Sequence, residues 1–305
     1  MVAIFDETLS APFDGQGPDK VLKRTVRELG EEDRAPVLAL LSNDPLRGVH
    51  LQSMIEDHGL CHPKHRGHFF GYYEDGRLTG VALLGHLMMI YAEAEAEEAA
   101  LNYFAQAAVA SGAKGHVVFG PREQVEAFWA RLSESGRETR LVRDYYWYVC
   151  EQSQLPLERL QLRQASLAEL EVVANAQAEM ALEESGVDPR VADLEGFRQR
   201  VAERIERGRT WVKLEDGKVV FKAELQSITS EAIYLEGIWT HPNYRNRGIA
   251  KSCVAELTHR RLRRQQVICL VVEPHEQIAR HIYEQAGFVH HGDYQARYLK
   301  PAPEN

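Results

Sequence analysis

HPNYRNRGIAKS, residues 241–252, is the stretch that decides how the rest of the chain is interpreted. It follows a β-rich run, AIYLEGIWT (232–240), and precedes a run with helical periodicity. A turn between a strand and a helix needs a glycine, here Gly248, but it does not need arginines beside it, here Arg245 and Arg247. The first turn of a helix leaves N–H donors unpaired, and its dipole favours negative charge. The spacing Arg-x-x-Gly-x-Ala therefore predicts an anion-binding loop.

Composition narrows the class of protein. A chain of 305 residues is long enough for two domains of roughly 100–200 residues each. Its net charge of -9 argues against nucleic-acid binding, which normally needs an excess of Lys and Arg. No stretch approaches the roughly 18 apolar residues of a membrane span, and no signal peptide is apparent. The sequence thus predicts a cytoplasmic protein with no membrane or nucleic-acid partner, and reduced thiols at its scattered cysteines, Cys61, Cys150, Cys253 and Cys269.

The order of predicted elements repeats along the chain. Each half contains a helix, a hairpin turning at Glu-Asp-Gly (74–76 and 215–217), and then strands alternating with helices. This repetition indicates an internal duplication, although Asp-Gly turns are common and two α/β domains resemble each other anyway. The predicted fold class is α/β with a mixed sheet. The predicted divisions are an arm, a first domain and a second domain, at 1–20, 21–155 and 156–305.

The anion loop resembles one family in particular. It fits neither the Walker loop nor the dinucleotide fingerprint, but it matches the pyrophosphate loop [QR]xxGx[GA] of the GCN5-related N-acetyltransferases, the GNAT superfamily. About thirty residues later VICLVVEPHEQIARHIYEQAGF (267–288) is similar to the next GNAT motif, a buried strand followed by a helix with Tyr and then Gly-Phe. The resemblance covers roughly residues 160–300. The whole chain, with FGPREQVEAFW (119–129) in its first half, looks like a tandem-GNAT subfamily whose N-terminal domain has no known function.

The resemblance implies roles for individual residues. A bulged, splayed strand would offer its backbone to the pantetheine arm of acetyl-CoA, and the loop and first helical turn would hold the pyrophosphate. Tyr283 would protonate the leaving thiolate, a task that suits a neutral phenol. Acetyl-CoA is the expected co-substrate and no metal is expected. By position the cofactor-binding residues are Ile238, Trp239, Thr240, Arg245, Asn246, Arg247, Gly248, Ile249, Ala250 and Lys251.

The amine nucleophile needs a base, and a strand glutamate often serves in this family. Glu236 precedes the loop, and strand alternation puts it on the face of Tyr234 and Ile238. Glu224, on the hairpin strand, is the alternative. We prefer Glu236, but either side chain is equally compatible with a solvated carboxylate on a strand.

Some acidic residues leave alternatives open. Glu273 and Glu276 stand where many GNAT sequences have asparagines that help to hold pantetheine or order the loop. They motivate a second hypothesis, a non-catalytic protein that binds acyl-CoA as a sensor or scaffold. Glu183 and Glu184 end a predicted helix, where they fit either a site for a cationic acceptor or a solvated helix end.

The first half lacks the anion loop. Its counterpart is the acidic run YAEAEAEEAALN (91–102), which does not suit pyrophosphate, and Trp129 stands in the place of Tyr283. We therefore expect a degenerate copy that packs on the second domain and shapes the acceptor site. The segment HGLCHPKHRGH (58–68) fits a basic loop better than a zinc site, and HRRLRR (259–264) fits a solvated helix end better than a nucleic-acid contact.

The sequence therefore predicts an N-acetyltransferase. It would transfer acetyl from acetyl-CoA to a primary amine, on a small molecule or a peptide, by direct attack. The sequence does not identify the acceptor, and it leaves a homodimer open.

Overall fold

The computed structural model describes residues 22–152, 161–264 and 266–301, apart from the side chains of residues 184, 185 and 192. The predicted arm (1–20), the predicted boundary after residue 155 and the side chain of Glu184 lie outside this description. The chain divides into two compact units. One is built from residues up to Tyr146 and from Gly292 onward, and the other is Trp147–His291.

The first unit is a mixed sheet with helices. Neighbouring strands β1 to β4 are antiparallel, β4 and β5 are parallel, and β12 is antiparallel to β5. Its helices are α1 (Arg34–Leu41), α2 (Pro45–His58), α3 (Glu97–Ala110) and α4 (Arg122–Ser133). Its strands are β1 (Arg24–Glu28), β2 (Gly67–Glu74), β3 (Arg77–Gly85), β4 (Leu87–Ala92), β5 (Val117–Pro121), the start of β6 (Thr139–Cys150) and the end of β12 (Val289–Leu299).

The last strand differs from the predicted division of the chain. Residues from Gly292 onward, predicted with the second domain, belong to the first unit. The reason is strand pairing, because β12 places Tyr294 opposite Pro121 and Tyr298 opposite Val117.

The second unit repeats the arrangement. An antiparallel run of β7, β8, β9 and β10 is followed by β11, which pairs in parallel with β10. The strands are β7 (Arg163–Gln164), β8 (Thr210–Glu215), β9 (Lys218–Ile228), β10 (Ala232–Thr240) and β11 (Val267–Val272). The helices are α5 (Leu170–Ser185), α6 (Pro189–Glu206), α7 (Ile249–Leu262) and α8 (Gln277–Ala286).

Both predicted hairpins are confirmed, and both turn in the same way. Asp75 and Gly76 have φ of 48° and 80°, and Asp216 and Gly217 have φ of 49° and 74°. Two consecutive residues at positive φ match the right-handed twist of the flanking strands. Mixed sheets with the same hairpin in both units confirm the predicted fold class.

Local sequence chemistry also sets the helices of the second unit. Ser166 and Glu169 form a capping box ahead of α5. The helix α6 was not predicted. Its Phe197, Val201 and Ile205 are spaced by four residues and pack in one core with α5 and β8.

No helix in the described part of the chain is long and apolar enough to cross a bilayer. All four cysteines are free thiols, as predicted. Burial raises the pKa of Cys150 to about 11 and the pKa values of Cys253 and Cys269 to about 12. These three thiols are therefore protonated, and weak as nucleophiles, at neutral pH.

Candidate functional site

The parallel strands β10 and β11 separate part-way along their length. They pair only over Ala232–Tyr234 opposite Val267–Cys269, although β10 continues to Thr240 and β11 to Val272. The gap opens at the carboxyl ends of parallel strands, where α/β sheets bind ligands. One edge of β10 therefore presents backbone N–H and C=O groups to this gap, which is the splay that the resemblance implied.

The strand β10 is also distorted. Its register with β9 shifts after Tyr234 and again between Glu236 and Trp239, and Gly237 has φ of 59°. The predicted alternation of Tyr234, Glu236 and Ile238 on one face is therefore wrong for this strand. Tyr234 is buried, whereas Glu236 is exposed and Ile238 is intermediate. The distortion turns the Glu236 side chain toward solvent.

A buried ion pair holds the distorted segment. The Lys222 Nζ donates to the Gly237 carbonyl at 3.2 Å and to Glu224 Oε1 at 3.1 Å, and Lys222 has no exposed surface. Thr210 Oγ1 donates to the other Glu224 oxygen at 2.9 Å. Burial lowers the pKa of Lys222, and the charge of Glu224 opposes that shift. Because both its oxygens are engaged, Glu224 is a poorer candidate base than Glu236.

Glu236 combines access with a perturbed acidity. Its side chain reaches solvent, and desolvation raises the pKa of the carboxyl. The charges of Arg204 and Lys222 oppose this rise, and the charge of Glu224 adds to it. A carboxylate with a raised pKa that solvent can reach is suited to accept a proton.

The predicted anion loop places two left-handed residues directly before α7. After a 3₁₀ turn at Pro242–Tyr244, Asn246 and Gly248 adopt left-handed φ of 62° and 76° on either side of Arg247. Gly248 is the N-cap of α7, so no side chain caps that helix, and a Cβ on Gly248 would meet no atom within 4 Å. Open space therefore lies in front of unpaired N–H donors.

The two loop arginines have different environments. Arg245 was predicted to donate to the anion, but its guanidinium donates to Glu183 Oε2 at 2.7 Å and to the Thr240 carbonyl at 3.0 Å. Its N–H donates to the Pro242 carbonyl at 3.3 Å. Arg247 is exposed and lies 5.2 Å from the Tyr244 ring centroid. Arg247 is thus the arginine that is free to reach a ligand, whereas Arg245 and Glu183 brace the loop.

Tyr283 lies on α8, which packs beside α7. It is 9% exposed, and its ring centroid is 5.9 Å from that of Phe288. The Tyr283 carbonyl accepts the Phe288 N–H at 3.0 Å, and Gly287 closes the helix with φ of 101°. This C-cap therefore ends α8 shortly after Tyr283. Trp239 contributes only its backbone to the gap, since its side chain packs in the core under α5.

The acidic residues after β11 surround a histidine. His275 lies 3.4 Å from Glu273 Oε2 and 3.5 Å from Glu276 Oε1. Arg280 donates to the Pro274 carbonyl at 3.1 Å. This turn therefore begins α8 with local polar contacts, where many GNAT sequences use asparagine.

The corresponding place in the first unit is filled by protein. The first turn of α3 carries Glu97 and Glu98. Arg47 donates to Glu97 Oε2 at 2.6 Å, and Gln124 donates to the same oxygen at 3.2 Å. A helix that starts with its own carboxylates repels an anionic ligand. The first unit is degenerate at this site, as predicted.

The histidine segment of the first unit is accounted for by packing. His58 and His62 stack with centroids 4.9 Å apart, His65 Nε2 is 2.8 Å from the Gly59 carbonyl, and His68 Nδ1 is 2.6 Å from Glu28 Oε1. Among the residues that the structure describes, no three His, Cys, Asp or Glu side chains are placed to share a metal.

Comparison with known proteins identifies the class that this fold and loop define. Residues 173–288 match the model of the acetyltransferase (GNAT) family, and residues 67–173 match a domain of unknown function, DUF4081. Residues 173–288 thus resemble a GNAT-family domain, preceded by a region that resembles DUF4081. Members of the GNAT family are acetyltransferases whose fold generally binds acetyl-CoA. No curated protein matches the chain.

Solved structures share the fold over nearly the whole chain. A GNAT-family acetyltransferase from Colwellia psychrerythraea aligns with a TM-score of 0.58 at 15% identity, over 90% of this chain and 98% of the other. A GCN5-related N-acetyltransferase from Sphaerobacter thermophilus aligns at 0.57 and 14% identity, over 91% and 95%. A tandem GNAT protein from the clavulanic acid biosynthesis pathway aligns at 0.55 and 10% identity, over 92% and 100%. These likenesses show a tandem GNAT fold.

Proposed function

We propose that this protein is an acetyl-CoA-dependent N-acetyltransferase that acts on a primary amine. The observation that carries the proposal is the position of the open gap between β10 and β11, which leads directly into the uncapped N-terminus of α7. Pantetheine would add backbone hydrogen bonds along Ile238–Thr240, and pyrophosphate would accept from the N–H groups of residues 246–251. The acceptor is a small-molecule or peptide amine, and cytoplasmic location and a homodimer stay predictions from the sequence.

The proposed chemistry needs one base and one acid. The bound cofactor supplies a thioester, whose acetyl carbon the neutral amine attacks. Glu236 accepts the proton that the amine loses, and Tyr283 donates a proton to the departing sulfur. The nitrogen–carbon bond forms as the carbon–sulfur bond breaks, so no covalent enzyme intermediate is required. The high pKa values of Cys150, Cys253 and Cys269 support direct attack over a cysteine route.

A release assay for the free thiol of CoA tests the function. Purified protein with acetyl-CoA and a panel of small amines, amino acids and peptides should release thiol with at least one acceptor. Tight CoA binding without thiol release from any amine would instead support an acyl-CoA sensor, which Glu273 and Glu276 favour. Absence of binding at millimolar acetyl-CoA would contradict both.

Gly248→Asp should weaken CoA binding strongly. An aspartate tolerates the left-handed conformation, but it puts a negative charge where pyrophosphate would lie. Gly248→Asn is the matched control, since it adds the same bulk without charge. We expect the Asp variant to bind at least about tenfold more weakly than the Asn variant, or about 1.4 kcal/mol. Calorimetric titration measures the difference, which should shrink as salt screens the charge; equal affinities would place the pyrophosphate elsewhere.

Glu236→Gln should remove the acidic limb of the pH profile. A base works only when deprotonated, so kcat/KM of the wild type should fall as the pH drops through the raised pKa of Glu236. The Gln variant should be slower and should lack that limb. Asp216→Asn, which removes a carboxylate from the hairpin turn, is the control and should keep the profile. An unchanged profile in Glu236→Gln would assign the base to another group.

Glu236→Gln should slow the reaction but stabilise the folded protein at alkaline pH. The pKa of Glu236 is raised in the folded protein, so ionisation opposes folding, and this cost is present above the folded pKa. Glu236→Gln should therefore raise Tm slightly at pH 8. The gain should vanish once the pH falls below the unfolded value of about 4.3. It is small because Glu236 keeps contact with solvent.

A further inference from the structure

A second cavity lies at the other end of α7. It has a volume of about 370 Å³. Because α7 has 14 residues, this cavity is separated from the anion loop by about 20 Å along the helix. Its lining residues are Gln164, Trp211, Arg260, Arg261, Arg263 and Arg264.

The cavity carries uncompensated positive charge. Arg260 pairs with Glu256, donates to the Leu162 carbonyl at 2.6 Å and lies 5.8 Å from the Trp211 ring. Among the described residues, no carboxylate pairs with the other three lining arginines, although the chain is acidic overall. A helix C-terminus attracts cations, which accounts for the exposed arginines that follow α7. It does not account for Arg261, which is buried.

Two donors in the lining are buried and have no hydrogen-bond partner among the residues that the structure describes. Arg261 and Trp211 are each only 8% exposed. The donors are the Arg261 Nε and the Trp211 Nε1. A buried donor without a partner costs free energy of folding, so such a group calls for an explanation. Burial, together with the charge of Arg264, lowers the pKa of Arg261, so a nearby anion would stabilise its charged form.

We propose that this cavity is a second ligand site, which binds a small phosphate-bearing anion. Guanidinium groups match the geometry of phosphate oxygens, and several of them converge here. Trp211 and Gln164 add an aromatic wall and an amide. The volume lies within the range of small-molecule sites, about 300–1,000 Å³. This inference is independent of the proposed acetyltransferase activity.

Calorimetric titration of the full chain with inorganic phosphate, pyrophosphate and ATP tests the site. We expect binding of at least one probe, weakened at least tenfold by Arg261→Gln combined with Arg264→Gln. If the double variant does not fold, Arg264→Gln alone serves instead. Its position is exposed, and it should still weaken binding measurably. Arg140→Gln removes an arginine from the first unit and should bind as the wild type does.

The pattern across probes and variants separates the outcomes. Binding of ATP alone would identify the ligand as a nucleotide, and binding of all three would identify the phosphate group itself. Failure of all three probes to bind at millimolar concentration would overturn the proposal. So would binding that Gly248→Asp abolishes and the arginine variants leave unchanged, since the probe would then lie at the N-terminus of α7.

Discussion

Tyr283→Phe should lower turnover by roughly 10²–10⁴-fold and change the affinity for acetyl-CoA by no more than roughly twofold. The phenol would supply a proton only as the carbon–sulfur bond breaks, so its loss acts on the rate of the chemical step. Phenylalanine fills the same buried volume against Phe288, so the fold should persist. Steady-state rates with a saturating amine, together with calorimetry, separate the two effects.

The matched control removes another phenol. Tyr73 lies in the first unit, where its hydroxyl accepts from Arg27 at 2.7 Å. Tyr73→Phe should leave the turnover number and the acetyl-CoA affinity as in the wild type. Normal turnover in Tyr283→Phe would show that Tyr283 is not the acid. That result would not bear on the CoA-binding site.

Lys222→Met should destabilise the fold by about 3–5 kcal/mol, because it leaves the Glu224 carboxylate buried without its partner. It also leaves the Gly237 carbonyl without the donor that holds the distorted strand. Urea unfolding at neutral pH measures the change. A much smaller loss of stability would show that the ion pair is weak or that water replaces the ammonium group.

The double variant separates stability from function. Lys222→Met with Glu224→Gln removes both charges and keeps an acceptor for Thr210, so most of the lost stability should return. CoA binding should nevertheless be weaker than in the wild type, because the Gly237 segment still lacks its donor. Recovery of both stability and CoA binding would show that Lys222 pairs with Glu224 but does not position the Gly237 segment for CoA.

Local chemistry made parts of this structure predictable from sequence. The Asp75-Gly76 and Asp216-Gly217 turns specify hairpins because both residues accept positive φ. Gly248 specifies the start of α7 for the same reason. The anion loop was therefore visible in the sequence, and so was its absence from the acidic start of α3.

Two helices were missed although each has a start signal. Asp44 before Pro45 caps α2, and Asp188 before Pro189 caps α6. In α6 the non-helical conformation of Asp193 interrupts the first turns, so apolar periodicity begins only afterwards. For both helices, the start signal in the sequence was an Asp-Pro pair ahead of a weakly periodic stretch.

The tertiary contacts that hold the site in place could not be predicted from the sequence. Lys222 stands in an apolar strand sequence, and nothing nearby shows that it is buried. Its partner carbonyl, on Gly237, is 15 residues away on another strand. The engagement of Arg245 by Glu183 joins residues 62 positions apart. Contacts of this kind depend on tertiary packing, which pattern and spacing do not encode.

A crystal structure of the chain with CoA would locate both the pyrophosphate and the pantetheine arm. We expect pyrophosphate oxygens at about 2.9 Å from backbone nitrogens of residues 246–251, with pantetheine alongside Ile238–Thr240 in the gap between β10 and β11. Pyrophosphate bound away from the N-terminus of α7, with that gap closed, would contradict this expectation.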